Sequence, residues 1–249
     1  NEMKANEDKS HLFIIKNNEG TVKLGNEKIS AESSIELLGL TIDNRLDFKQ
    51  HISKLLKNGN QKFHALARIS KYLSENKLKI LMRAFITSQF NYCPLIWMFH
   101  SRTLNNKINN LHERALRLVY KDNNCTFQEL LEKDNAVTIH QRNLQRLAIE
   151  MYKVKSHLSP LPVQEMFKVH DNVYDLRKKR YWETHNVRTV HYGTETVLSR
   201  GPKIWEIIPI DIKESTTLNE FKSKIKQWKP LDCTCRLCRT YVNGVGFID

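Results

Sequence analysis

The segment Glu36-Leu-Leu-Gly-Leu-Thr-Ile-Asp43-Asn-Arg-Leu-Asp47-Phe-Lys-Gln-His-Ile-Ser-Lys-Leu-Leu56 constrains the fold most, because within it a β-like run gives way to an amphipathic helix. Leu37, Leu38, Leu40 and Ile42 form a run apolar enough for a buried strand, and Gly39 inside it reads as a bulge or a point of close backbone approach. Asp43-Asn44 supplies turn chemistry. Asp47 stands where a helix cap would, Gln50 occupies the capping-box position three residues on, and Phe48, Ile52, Leu55 and Leu56 share one helical face. Lys49, Lys54 and Lys57 then point away from the core.

The flanks of this segment differ in kind. Upstream, His11–Lys16 reads as a strand, Asn17–Gly20 as a turn, and Thr21–Ile29 as a weaker extended stretch with its own turn at Gly25-Asn26. Downstream, helical periodicity dominates. Ser74 precedes a helix with a wide apolar stripe (Leu78, Leu81, Met82, Phe85, Ile86), which suggests a central position in a bundle, and Pro94 bends or restarts the chain after it. Leu104, Ile108, Leu111, Ala115 and Leu118 mark another helix, and Thr138 with Gln141 opens a third as a capping box. Beyond about residue 161 the pattern fades, and 171–200 offers only short β-like pieces such as Val187–Tyr192. Helical order returns at Gly201–Pro209 and Thr217–Trp228. The expected fold is mainly α: a small N-terminal antiparallel β unit (1–46), a basic helical bundle (47–160) and a less regular C-terminal segment (161–249).

Charge narrows the partner. The 249 residues carry 40 Lys+Arg against 27 Asp+Glu, a net +13. Between Lys49 and Arg83 nine basic residues face a single acid, Glu75, so nine minus one places +8 of the +13 in this stretch. Lys107, Arg114, Arg117 and Lys121 recur at i, i+7, i+10 and i+14, a second stripe on the face opposite the apolar one. Density of this kind suits phosphate contacts, which add salt-dependent affinity without sequence preference; an ordinary solvated face is the competing reading.

Cysteine usage suggests a second chemistry. Cys93 and Cys125 are isolated, whereas Cys233-Thr-Cys235-Arg-Leu-Cys238 offers three closely spaced thiolate ligands for Zn²⁺. A fourth ligand has to come from afar, for example His191, or from another molecule. Free thiols are the alternative. His100, His112 and His140 lie in helical stretches and read as structural. No P-loop, H-E-x-x-H, G-x-S-x-G or G-x-G-x-x-G pattern occurs. With no apolar run of about 18 residues and a polar N-terminus, the expectation is an intracellular protein, nuclear or cytoplasmic, without a membrane partner. Since Asn1 rather than Met comes first, the chain reads as a piece of a longer one unless Met3 is the start.

The order of several motifs resembles a known family. Met3-Lys-Ala-Asn6-Glu-Asp-Lys9-Ser, then Leu37-Leu-Gly39-Leu-Thr-Ile-Asp43, Ala84-Phe85 to Trp97 and Leu111-His-Glu-Arg114-Ala-Leu-Arg117 are similar to the downstream part of the reverse transcriptase of jockey-like non-LTR retrotransposons. Val187–Gly193, Gly201-Pro-Lys-Ile-Trp205 and Cys233–Cys238 resemble the C-terminal extension of such elements.

The resemblance implies that 1–46 ends a palm and carries a primer-grip-like hairpin at Leu38 and Gly39. It makes 47–160 a thumb that binds an RNA template and DNA primer, with Lys54, Lys57, Lys62, Arg68 and Lys71 as the main clamp and Lys107, Arg114, Arg117 and Lys121 as a second surface. Lys9 becomes the counterpart of the lysine that protonates the leaving pyrophosphate, although Glu7 stands where a proline is usual. The family's Mg²⁺-binding aspartates lie upstream of residue 1, so the remainder of a polymerase chain is an implied partner and this chain alone is not expected to synthesise DNA. A non-catalytic nucleic-acid-binding or protein-interaction module, relic or co-opted, is the alternative.

Overall fold

A computed structural model describes residues 6, 9–16, 19–170, 181–184 and 186–238; the side chain of His191 and the run Arg177–Arg180 lie outside the description. Among the described residues the chain is mainly α with a small N-terminal strand unit. It divides into two compact units, Asn1–Cys93 and Pro94–Asp249. These part at 93/94, not at the 46/47 and 160/161 boundaries read from the sequence.

In the first unit, β1 (Leu12–Phe13), β2 (Thr21–Leu24) and β3 (Glu27–Glu32) form a sheet in the order β1-β3-β2. The β2–β3 pair is an antiparallel hairpin turning at Gly25-Asn26, as the turn residues suggested, whereas β1 runs parallel to β3. The sheet is therefore mixed.

The apolar run of the opening segment is not one strand. It folds back on itself as β4 (Ser34–Leu37) and β5 (Leu40–Asp43), with Leu37 opposite Leu40 and Leu38-Gly39 at the tip. Both tip residues have positive φ, 50° and 80°, as a type I′ hairpin turn requires. Gly39 serves the turn and not a bulge or a close backbone approach, because a Cβ added there would meet nothing within 4 Å. Leu38 is 84 % exposed, and its carbonyl accepts a 2.5 Å hydrogen bond from the Tyr92 hydroxyl. An exposed leucine in the left-handed region costs about 1 kcal/mol or more. Leu38→Asn, which creates the preferred Asn-Gly pair, is expected to raise the first unit's stability by about 1 kcal/mol in urea denaturation.

Helix α1 (Lys49–Ile69) begins differently from the expected capping box. Its N-cap is Phe48, which provides no side-chain cap. Asp43 does the work: one carboxylate oxygen accepts the backbone N–H groups of Arg45 (3.1 Å) and Asp47 (3.2 Å), and the other accepts that of Phe48 (2.7 Å). Asp47 adds one bond, from the Lys49 N–H at 2.9 Å. A single buried carboxylate thus ties the end of β5 to the start of α1. Ile52, Leu56 and Leu66 are buried along α1, which packs on β5 and on α2 (Glu75–Phe85). Helix α2 does not occupy a bundle centre among the described residues: Leu78 and Met82 are buried, but Ile80 and Phe85 are 65 % and 48 % exposed.

The second unit opens with α3 (Pro94–Trp97), where Pro94 restarts the chain as expected. Then follow α4 (Arg102–Tyr120), α5 (Phe127–Lys133) and α6 (Ile139–Lys155). Thr138 and Gln141 form the capping box reciprocally at the start of α6. After α7 (Leu161–Glu165), the β-like expectation for Val187–Tyr192 fails: Val190–Thr194 is one turn of π-helix. Helix α8 (Val197–Ile207) starts four residues before Gly201, and α9 (Ile210–Lys213) and α10 (Leu218–Gln227) complete the unit.

Helix α6 is the unit's spine, packing on α8 and α10. Leu144, Leu147, Ala148 and Met151 from α6, Ile204 and Trp205 from α8, and Phe221 and Ile225 from α10 form the core, which also includes Cys233, Cys235 and Leu237. No helix among the described residues is long and apolar enough to cross a membrane.

Candidate metal centre and basic surface

The chain beyond α10 is drawn back onto α6. Gln145, buried in α6, donates from Nε2 to the carbonyls of Trp228 (2.7 Å) and Lys226 (3.3 Å). Further on, Arg236 Nη2 donates to the His100 carbonyl at 3.0 Å. Around Arg236 the backbone tightens into a turn, with the Cys238 N–H bonded to the Cys235 carbonyl at 3.1 Å. That turn brings Cys235 Sγ to 3.2 Å from His140 Nε2, on the first turn of α6. The ligand atoms of His140, Cys235 and Cys238 lie within 4.8 Å of one another, a group able to hold a metal ion. Cys233, two residues before Cys235, is buried in the same core.

Electrostatics in this cluster follow from thiols sharing protons in a dry place. Hydrogen bonds from Cys235 and Cys238 hold the Cys233 thiol far below its usual range, with the Arg200 guanidinium contributing. The same contacts with Cys233 and Cys235, together with burial, push Cys238 up. One thiolate is therefore favoured, and a second is opposed by the first unless a cation joins them. Arg200 itself is buried in an ion pair with Glu195. A cavity of about 560 Å³, lined in part by Trp182, Ile204, Arg200 and Cys233, lies against the cluster.

The local pattern marks the three cysteines, whereas His140 reads from its helix as structural and the fourth ligand is expected from afar, for example His191, or from another molecule. Nothing local marks His140. It is separated from Cys235 by 95 positions, and only the packing of the tail on α6 brings them together.

The basic residues sort by exposure. Of the nine between Lys49 and Arg83, Lys62 and Lys79 are half-buried and the others exposed. Along α1, Lys54, Lys57, Gln61, His64 and Arg68 are all exposed at i, i+3, i+7, i+10 and i+14, one stripe opposite buried Ile52, Leu56 and Gly59. Lys62 falls off this stripe. Lys54 is tied to Glu36 at 3.0 Å, while Lys71 lies 4.9 Å above the ring of Tyr72, a tyrosine 77 % exposed. On α4, Lys107 and Arg114 are exposed, and Lys121 is the left-handed C-cap. Arg117 is committed elsewhere, paired with Glu113 at 2.7 Å and donating to the Asp122 carbonyl at 3.4 Å. The α1 stripe belongs to the first unit and the α4 stripe to the second. Lys9 is exposed, its backbone N–H bonded to the Asn6 carbonyl at 3.3 Å.

No family model, curated protein or solved structure matches this chain.

Proposed function

We propose that this chain is the thumb and C-terminal part of an RNA-directed DNA polymerase of the jockey-like non-LTR kind, that it grips an RNA template and DNA primer through α1, and that its cysteine cluster takes Zn²⁺. The observation that carries the grip is the exposed stripe from Lys54 to Arg68. Fourteen residues of helix advance about 21 Å, the length of roughly six base pairs, so the stripe can follow one strand's phosphates across a groove. Lys71 and the open face of Tyr72 extend it past the end of α1 and add a ring on which a sugar or base can pack. The hairpin at Leu38-Gly39 supplies an exposed apolar tip in the same unit, in keeping with a primer-grip role. Mg²⁺ chemistry and Lys9 as an accessory acid belong to this reading through the resemblance alone.

Anisotropy titration of an RNA/DNA hybrid across a salt series tests the reading. Reversing Lys57, Arg68 and Lys71 to Glu removes three phosphate contacts and is expected to weaken binding and flatten the log–log salt slope by about 3. Unchanged affinity and slope in a folded triple variant would sink the α1 grip. A loss confined to one hybrid sequence would also count against it, because phosphate contacts carry no sequence information.

A further inference from the structure

We infer that His140 completes a closed Zn²⁺ site with Cys233, Cys235 and Cys238, pinning the C-terminal tail to the first turn of α6. The inference rests on reading the cysteine cluster as a zinc site and adds the ligand that closes it.

Geometry is the first support. A tetrahedral Zn²⁺ with bonds of about 2.3 Å to sulfur and about 2.0 Å to nitrogen places its ligand atoms roughly 3.6 to 3.8 Å apart. The His140 Nε2–Cys235 Sγ distance of 3.2 Å and the 4.8 Å limit over His140, Cys235 and Cys238 bracket that size. Cys233 lies outside that three-residue group, but it stands two positions from Cys235 and is buried in the same core, so rotation of its side chain would supply the fourth corner.

Burial is the second. His140, Cys233 and Cys235 are each 4 % exposed or less, and Cys238 is half-buried. Four protein ligands with no position left for water describe a structural site and not a catalytic one. Soft thiolates with one imidazole in a tetrahedron suit Zn²⁺ above Mg²⁺ or Ca²⁺, which take oxygen ligands. The cavity beside Cys233 gives an ion a way in.

The site has a mechanical consequence. Gln145, five residues along α6 from His140, holds the tail at Trp228, and the metal would hold it at Cys235, so the segment between is fixed at both ends. Tail and helix then become one folding unit.

The test strips metal from the full chain with a chelator and titrates it with Co²⁺, whose absorption reports tetrahedral thiolate ligation. One Co²⁺ per chain with a three-thiolate spectrum is expected. His140→Ala should weaken binding at least about 100-fold, the upper end of what losing an outer-shell partner costs. His140→Cys should restore affinity with a stronger thiolate charge-transfer band. If His140→Ala leaves affinity and spectrum unchanged, His140 is no ligand while the zinc reading stands. If the wild-type chain binds no tetrahedral Co²⁺, both fall. Should His140→Ala fail to fold, His140→Cys decides: a spectrum identical to wild type overturns the inference.

Discussion

Phe221→Ala is expected to cost the second unit about 3 to 5 kcal/mol, the range for truncating a fully buried phenylalanine. Its side chain is 0 % exposed, its ring stacks on Tyr152 at 4.3 Å, and it lies 6.2 Å from the Trp205 ring. These three rings come from α10, α6 and α8, so one truncation loosens both of the contacts through which α6 organises the unit. Set against a typical domain stability of roughly 5 to 15 kcal/mol, the loss consumes much of what holds the unit together. All four tryptophans, Trp97, Trp182, Trp205 and Trp228, belong to this unit, so tryptophan fluorescence in urea follows its unfolding selectively. Phe221→Leu, which refills most of the volume, should recover more than half the loss. A shift under about 1 kcal/mol for Phe221→Ala would mean that the core is not centred on these rings.

Helices were legible where periodicity and caps agreed. Thr138 with Gln141 announced α6, and Leu144, Leu147, Ala148 and Met151 on one face announced its burial. The hairpin at Leu38-Gly39 was harder to read from composition, because a run of leucines looks like a buried strand whichever way its backbone turns. What decides the turn is positive φ at two successive residues, and leucine is a poor advertisement for that. Asp47 looked like the cap because it sits next to the helix. Asp43 took the part instead, since the turn at Asn44–Leu46 brings three backbone N–H groups to one carboxylate, a convergence that spacing alone does not reveal.

The site was half legible for a similar reason. C-x-C-x2-C is a local pattern and can be read as metal ligands, whereas the imidazole that meets it belongs to a helix fixed by long-range packing. The basic stripe needed the structure in a different way. Counting charges located it between Lys49 and Arg83, but only exposure separates Lys57 and Arg68 from half-buried Lys62, and only partners show that Lys54 and Arg117 already hold carboxylates.

Acid should weaken the second unit before any carboxylate is protonated, and His112 is the reason that can be isolated. Burial, reinforced by the Arg142 charge and opposed by Asp134, lowers its pKa to about 4. His100 is lowered to about 4 as well, by burial first, against the pull of its hydrogen bond to the Trp97 carbonyl. In the unfolded chain a histidine titrates near 6.5. Above that value both states are neutral and the folded unit keeps its full stability. Between about 6.5 and 4 the unfolded chain binds the proton and the folded one does not, so stability falls as pH falls, and below about 4 the effect levels off. For His112 the loss between pH 7 and pH 5 comes to about 2 kcal/mol. A metal site also lets go in acid as its ligands are protonated, so the wild-type curve alone cannot apportion the loss. His112→Gln removes one titrating group while His140 and the cysteines remain. Its stability at pH 7 should be lower than wild type, because the buried ring contact with Phe127 at 5.7 Å is gone. Its further loss from pH 7 to pH 5 should nevertheless be about 2 kcal/mol smaller. Parallel pH dependences in urea denaturation would show that His112 is charged in the folded chain, and with it that the α4–α6 interior is wetter than its burial indicates.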